Sequence, residues 1–136
     1  MIEEPSNDDD LYTNSTRNVI AVVNLLAILH FVTGLLFLPY IWLIFFETVY
    51  VGPDFFILFA YMIGGLLLTT LPVFFIIGLA ILKIRPWAWK TSVIVNGVCV
   101  ILTIFGQIIF PAMLNIIILL ILNNTDVKTT LRPYDY

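Results

Sequence analysis

The sequence predicts an all-α fold: a polytopic bundle of four transmembrane helices with both chain ends in the cytoplasm. Three observations lead there. The 136-residue chain is 61% hydrophobic and 11% charged, whereas a soluble domain is about half apolar and about a quarter charged. Too few polar residues remain to cover such an interior in water. The apolar runs recur at lengths near the roughly 20 residues that a helix needs to cross about 30 Å of hydrocarbon. Finally, the basic residues fall in segments that an even number of crossings leaves on one side. A β-barrel would alternate apolar and polar residues over short strands, but residues 73–82 and 116–122 are continuously apolar.

The elements follow in order. Residues 1–18 are polar and acidic, with Pro5 and the run Asp8, Asp9, Asp10. Their small apolar surface does not offset the entropy of ordering, so a disordered cytoplasmic tail is expected. The first span is expected over 19–38 and is not a cleaved signal peptide, because acids rather than a basic segment precede it. Pro39 removes a backbone donor and biases Leu38 away from helix. The aromatic stretch 40–51 is read either as a tilted continuation or as an interfacial segment. Gly52 and Pro53 signal a turn, with Asp54 as the N-cap of a second span within 55–82. Gly64, Gly65 and Pro72 mark sites of close packing and kinking there. After the basic loop around Lys83 and Arg85, Pro86 suits a first helical turn and Trp87 and Trp89 suit interfacial anchors, giving a third span over 87–105. Residues 106–111 form a break. The last run, 107–122, is short for a span and is read as a fourth helix in thinned lipid or a re-entrant segment. One helix from 87 to 122 would measure about 54 Å, too long for a bilayer. The spans thus occupy 19–124, and 125–136 is expected to be a short cytoplasmic tail.

Charge sets the expected orientation in the cell membrane. Arg17, Lys83, Arg85, Lys90, Lys128 and Arg132 are all the basic residues, and four spans place them on one side. Glu47 and Asp54 lie on the other. Positive charge close to the spans stays cytoplasmic while acids count little. The sequons at Asn14 and Asn123 then lie away from glycosylation and are expected to be unmodified. With one cysteine, Cys99, there is no intrachain disulfide.

The third span carries a distinct pattern. Ser92, Asn96, Cys99, Thr103 and Gly106 repeat at the spacing of one helical face, with Gln107 beside them. Such a face points at protein. It allows close approach and hydrogen bonds between helices, and it is also what a polar pathway would need. Asn24, Ala27 and Gly34 share a broad face of the first span with His30 at its edge, and Gly65, Thr69 and Pro72 offer a matching face on the second. His30 is the only histidine, and an ionisable residue inside a membrane is a functional candidate by default. No intramembrane acid accompanies it, so a neutral histidine bonded to a neighbouring helix is expected.

One histidine and one cysteine on different helices do not make a zinc set. No phosphate loop, nucleophile elbow, zincin motif or paired intramembrane carboxylate occurs. No catalytic, cofactor-binding or metal residues are therefore assigned, and no enzyme activity or nucleic-acid partner is expected. Lys83, Arg85 and Lys90 can attract anionic lipid headgroups at roughly 1 kcal/mol per charge, although an orientation signal accounts for the same residues.

The segment 78–90, Gly-Leu-Ala-Ile-Leu-Lys-Ile-Arg-Pro-Trp-Ala-Trp-Lys, and the segment 115–128, an Asn-led Leu/Ile run closing in Asp-Val-Lys, resemble small uncharacterised four-span membrane proteins of archaea and bacteria. The likeness covers about the carboxyl-terminal half. It implies a four-span fold and no activity.

Two functions remain as expectations. One is a non-enzymatic membrane protein acting through helix contacts, as a homo-oligomer or as an accessory subunit of a larger complex. The other is a small oligomeric transporter or channel using the 92–107 stripe and His30. They differ in whether that stripe is packed dry or lines a wet cavity.

Overall fold

A computed structural model of the chain describes residues 7–46, 54–106 and 108–131. Five helices follow one another: α1 (Asn7–Phe46), α2 (Asp54–Leu82), α3 (Pro86–Phe105), α4 (Ile109–Leu122) and α5 (Thr125–Leu131). No strand occurs among the described residues. Within α1, α2 and α3, residues 16–46, 57–82 and 86–105 are long and apolar enough to cross a bilayer. Helix α4 reaches that length only if joined to α5 across a bend of 78°.

Helix α1 corrects the expected boundaries at both ends. It starts at Asn7, inside the segment expected to be disordered, and it runs through Pro39 to Phe46. Proline costs one backbone hydrogen bond, whereas ending a helix in hydrocarbon strands four carbonyls, so continuing is the cheaper course. Of the two readings of 40–51, continuation holds as far as Phe46, and residues 47–51 lie outside the described residues. Helix α2 likewise passes through Pro72 unbroken. Asp54 stands inside its first turn rather than at the cap, where its charge complements the helix dipole. At the other end the tail is not featureless, since α5 folds back and buries Val127 and Leu131.

The helices form a ring: α1 packs on α2 and α4, α3 packs on α4 and α2, and α1 and α3 face each other diagonally. Helices α1 and α2 lie antiparallel and close. A Cβ placed on Gly34 would stand 3.2 Å from Phe74 Cβ, one on Gly64 2.9 Å from Ile44, and one on Gly78 2.7 Å from the Phe31 ring. The packing face of α2 is therefore Ile63, Gly64, Leu67, Phe74, Ile77, Gly78 and Ile81. This replaces the expected face of Gly65, Thr69 and Pro72. Thr69 and Pro72 are exposed, and Gly65 has open space beside it.

Two apolar clusters fill the interior. One gathers Leu26, Ala27, Ile77, Ile81, Ile118 and Leu122 with Val127 and Leu131 of α5. The other gathers Phe37, Ile41, Ile63, Leu67, Phe74, Cys99 and Ile108. The outward faces are Ile, Leu and Phe, with Leu58, Ile104, Ile109 and Leu120 all more than half exposed.

The turn between α2 and α3 is built without glycine. The Arg85 amide donates to the Ala80 carbonyl and that of Ile84 to Ile81, both at 2.9 Å. These are the paired bonds of a Schellman cap, with Ile84 at the left-handed position (φ 49°). A β-branched residue there is strained. Arg85 is then extended and Pro86 opens α3, as expected of a proline at the first helical position.

The glycine contacts set a test. Gly78→Val should overpack the α1–α2 seam and cost about 1–3 kcal/mol. Gly65→Ala, which meets nothing, should be neutral or stabilising by up to about 1 kcal/mol through helix propensity. Reversible unfolding in mixed micelles measures both, and equal effects would contradict this seam.

Candidate functional site

The stripe on α3 faces inward as its spacing requires: Ser92, Asn96, Cys99 and Thr103 are buried completely. Gly106 is half-buried, and Gln107 lies outside the described residues. Opposite them on α1, His30 and Thr33 are also buried completely. His30, Thr33, Ser92 and Asn96 form a polar layer between the two apolar clusters.

His30 lies at the centre of its helix face, not at the edge. The buried positions run Val23, Leu26, Ala27, His30, Thr33, Gly34, Phe37 and Ile41, while Asn24 is exposed. The antiparallel register, with Phe31 against Gly78, puts Asn24 level with the α2–α3 turn, at the end of the span where a polar side chain is tolerated.

The ring of His30 is held at both nitrogens. Nδ1–H donates to the Leu26 carbonyl at 2.8 Å. A carbonyl can only accept, so this contact assigns the proton to Nδ1 and leaves Nε2 as an acceptor. The Ser92 hydroxyl lies 2.7 Å from Nε2, and the Asn96 amide nitrogen lies 3.2 Å from it. The ring also rests against Phe74 with centroids 5.8 Å apart. These bonds join α1 to α3 across the diagonal of the ring.

Other polar groups in the interior bond mainly within their own helices. Thr103 donates to the Cys99 carbonyl and Thr33 to Leu29, both at 2.7 Å. Asn96 Nδ2 donates to the Ser92 carbonyl and Asn115 Nδ2 to Pro111, both at 2.8 Å. Each spacing is i to i−4, the local alternative open to short polar side chains. Thr70 on α2 also bonds within its own helix, donating to the Leu67 carbonyl at 2.7 Å. Of the hydrogen bonds between helices expected from Asn96 and Thr103, Asn96 makes one, to His30, and Thr103 bonds only within α3. Asn96 Oδ1 and Asn115 Oδ1 are buried with no partner. Asn115 was not singled out by its spacing, because one amide in an Ile/Leu run gives no pattern.

Ser92 Oγ and His30 Nε2 have the separation of a nucleophile and its base. The hydroxyl is sealed from the surface, however, and the group orienting the histidine is a carbonyl of its own helix. The contact joins α1 to α3. Among the described residues no group of three His, Cys, Asp or Glu side chains could hold a metal ion.

The basic loop is exposed at Lys83, Arg85 and Lys90. Trp87 is exposed as an interfacial anchor would be. Trp89 instead turns inward and donates from Nε1 to the Leu122 carbonyl at 2.9 Å. Helix α5 brings Lys128 over its ring, with Nζ 5.5 Å from the centroid. Sequence spacing gave no sign of that contact, which depends on the bend after α4.

The diagonal tie can be weighed against its neighbour. Ser92→Ala should cost about 0.6 kcal/mol, the average for an interhelical bond in a membrane protein. Thr103→Val, losing only a bond within its own helix, should cost less than about 0.3 kcal/mol. A His30→Ala, Ser92→Ala double-mutant cycle should return a coupling near the Ser92 value. A coupling of zero would remove the tie.

No protein family, characterised protein or solved structure matches this chain.

Proposed function

We propose that this chain is a multi-pass integral membrane protein of four spans, with both termini cytoplasmic, that acts through helix contacts as an oligomer or as an accessory subunit of a membrane complex, without enzyme activity. The burial of Ser92, Asn96, Cys99 and Thr103 carries the reading. A polar pathway would have to run along that stripe, and its side chains are used instead in packing and in hydrogen bonds inside the bundle.

The surface supports the same reading. Polar contacts are spent inside, and the outward faces offer apolar grooves. One lies between α2 and α3 at Phe59, Met62 and Ile101, and another between α3 and α4 at Ile104, Ala112 and Met113. In lipid, association rests on close van der Waals fit, for which grooves of this kind are suited. The topology rests on the segregation of basic residues. Helix α4, about 21 Å long at 14 residues, then crosses in locally thinned lipid.

Topology is tested by single added cysteines, Cys99 being buried. Labels at positions 10, 87 and 130 should react only from the cytoplasm and a label at 52 only from outside, position 87 being exposed next to the buried Ala88. Reaction of 130 from outside would rule out four spans.

The mode of action is tested in native membranes with a photo-crosslinking residue at 104 or 113. Discrete protein adducts are expected. In liposomes with an internal pH dye, wild type and His30→Gln should give the same trace, since glutamine keeps a hydrogen-bonding side chain but cannot titrate. A proton flux in the wild type that the Gln variant lacks would replace this reading with a transporter.

A further inference from the structure

We propose that the cytoplasmic end of the α3–α4 groove is a binding site for one anionic phospholipid of the surrounding bilayer. The groove has a volume of about 390 Å³ and is lined by Trp89, Val93, Ile116, Leu119, Leu120 and Asn123. Its polarity is graded. Val93, Ile116, Leu119 and Leu120 form an apolar floor suited to an acyl chain. Trp89 and Asn123 stand at the mouth, α5 holds Lys128 over the Trp89 ring at 5.5 Å, and Lys90 follows Trp89 in α3. Both lysines are exposed. Trp89 is fixed by its bond to Leu122, so the indole and the ammonium group it carries have defined places.

Among the described residues the one acid near these lysines is Asp126. Between Asp54 and Asp126 the chain contains no acidic residue, and the first turn of α3, whose dipole end is positive, carries none. Asp126 is two positions from Lys128, where it does not pair with it directly but offsets its charge in part. The run of Asp8, Asp9 and Asp10 lies far up α1. With Phe31 level with Gly78, the α2–α3 turn is level with about position 26, and Asp10 is about 24 Å further along the axis at 1.5 Å per residue. That exceeds two Debye lengths at physiological salt, each about 8 Å. A phosphodiester anion attached to an acyl chain fits both halves of the site, and free phosphate would use only one. The position of Lys128 therefore moves the expected headgroup contact from Lys83, Arg85 and Lys90 towards Lys90 and Lys128.

The test uses the full chain, delipidated in detergent and titrated with phosphatidylglycerol or phosphatidylcholine, with bound lipid counted by native mass spectrometry. Phosphatidylglycerol should bind at least ten-fold more tightly. Lys90→Gln and Lys128→Gln should each weaken it about five-fold, the equivalent of about 1 kcal/mol per charge, and leave phosphatidylcholine unchanged. Leu119→Trp, which fills the floor, should weaken both lipids. Equal affinity for the two lipids would overturn the site. So would a loss from Lys83→Gln or Arg85→Gln as large as that from Lys128→Gln, which would indicate diffuse surface charge. Displacement of phosphatidylglycerol by an equal concentration of inorganic phosphate would make it a phosphate site instead and overturn the lipid assignment.

Discussion

The close approach of α1 and α2 is the constraint on which the rest of the structure depends. Between helices in lipid there is no hydrophobic force to gain, because hydrocarbon solvates an isoleucine as well as another isoleucine does. Attraction must come from dispersion, which falls steeply with distance and therefore rewards the removal of side chains at the seam. Gly34, Gly64 and Gly78 do this along three successive levels, each filled from across the seam by Phe74, Ile44 or Phe31. The pair so formed presents a composite face of His30, Thr33, Phe37, Phe74 and Ile77, against which the α3–α4 hairpin is laid.

That second interface is held differently. The hairpin carries no comparable row of close glycine contacts; Gly97 has open space beside it. It carries instead Ser92 and Asn96, which reach the His30 ring at the middle of the bundle. The apolar clusters above and below tolerate small shifts of register, whereas a hydrogen bond of 2.7 Å does not. The polar layer thus fixes α3 against α1 in both rotation and height. The buried, unpaired oxygen of Asn96 is the cost of that arrangement, since an amide that turns its nitrogen to one partner has to leave its oxygen where the helix puts it.

At the end of the bundle that carries the α2–α3 turn the interior is closed by α5 rather than by the four longer helices. Helix α4 is short, and the chain turns through 78° to lay Val127 and Leu131 on the inner apolar cluster beside Leu26, Ala27 and Leu122. The same bend carries Lys128 to the face of Trp89. One structural device thus completes the core and assembles the mouth of a groove.

The sequence by itself determined what depends on one helix at a time. Composition set the all-α class of long apolar helices, the runs 55–82 and 87–105 located α2 and α3 to within a residue, and the spacing from Ser92 to Thr103 identified the inward face of α3. These are legible because apolar content and the 3.6-residue period are properties of a single segment. Tertiary structure alone decided the rest. Pro39 signalled a stop that α1 ignores, because the alternative in lipid strands more backbone groups than proline does. The pattern Gly65, Thr69, Pro72 was as regular as the true face through Gly64 and Gly78, and only the neighbouring side chains of α1 distinguish them. His30 looked peripheral until Ser92 and Asn96 were brought to it from 62 and 66 residues away. Lys128 looked like part of a tail until the bend after α4 placed it on Trp89. In each case the deciding quantity is a distance between segments far apart in the chain, and no periodicity within either segment encodes it.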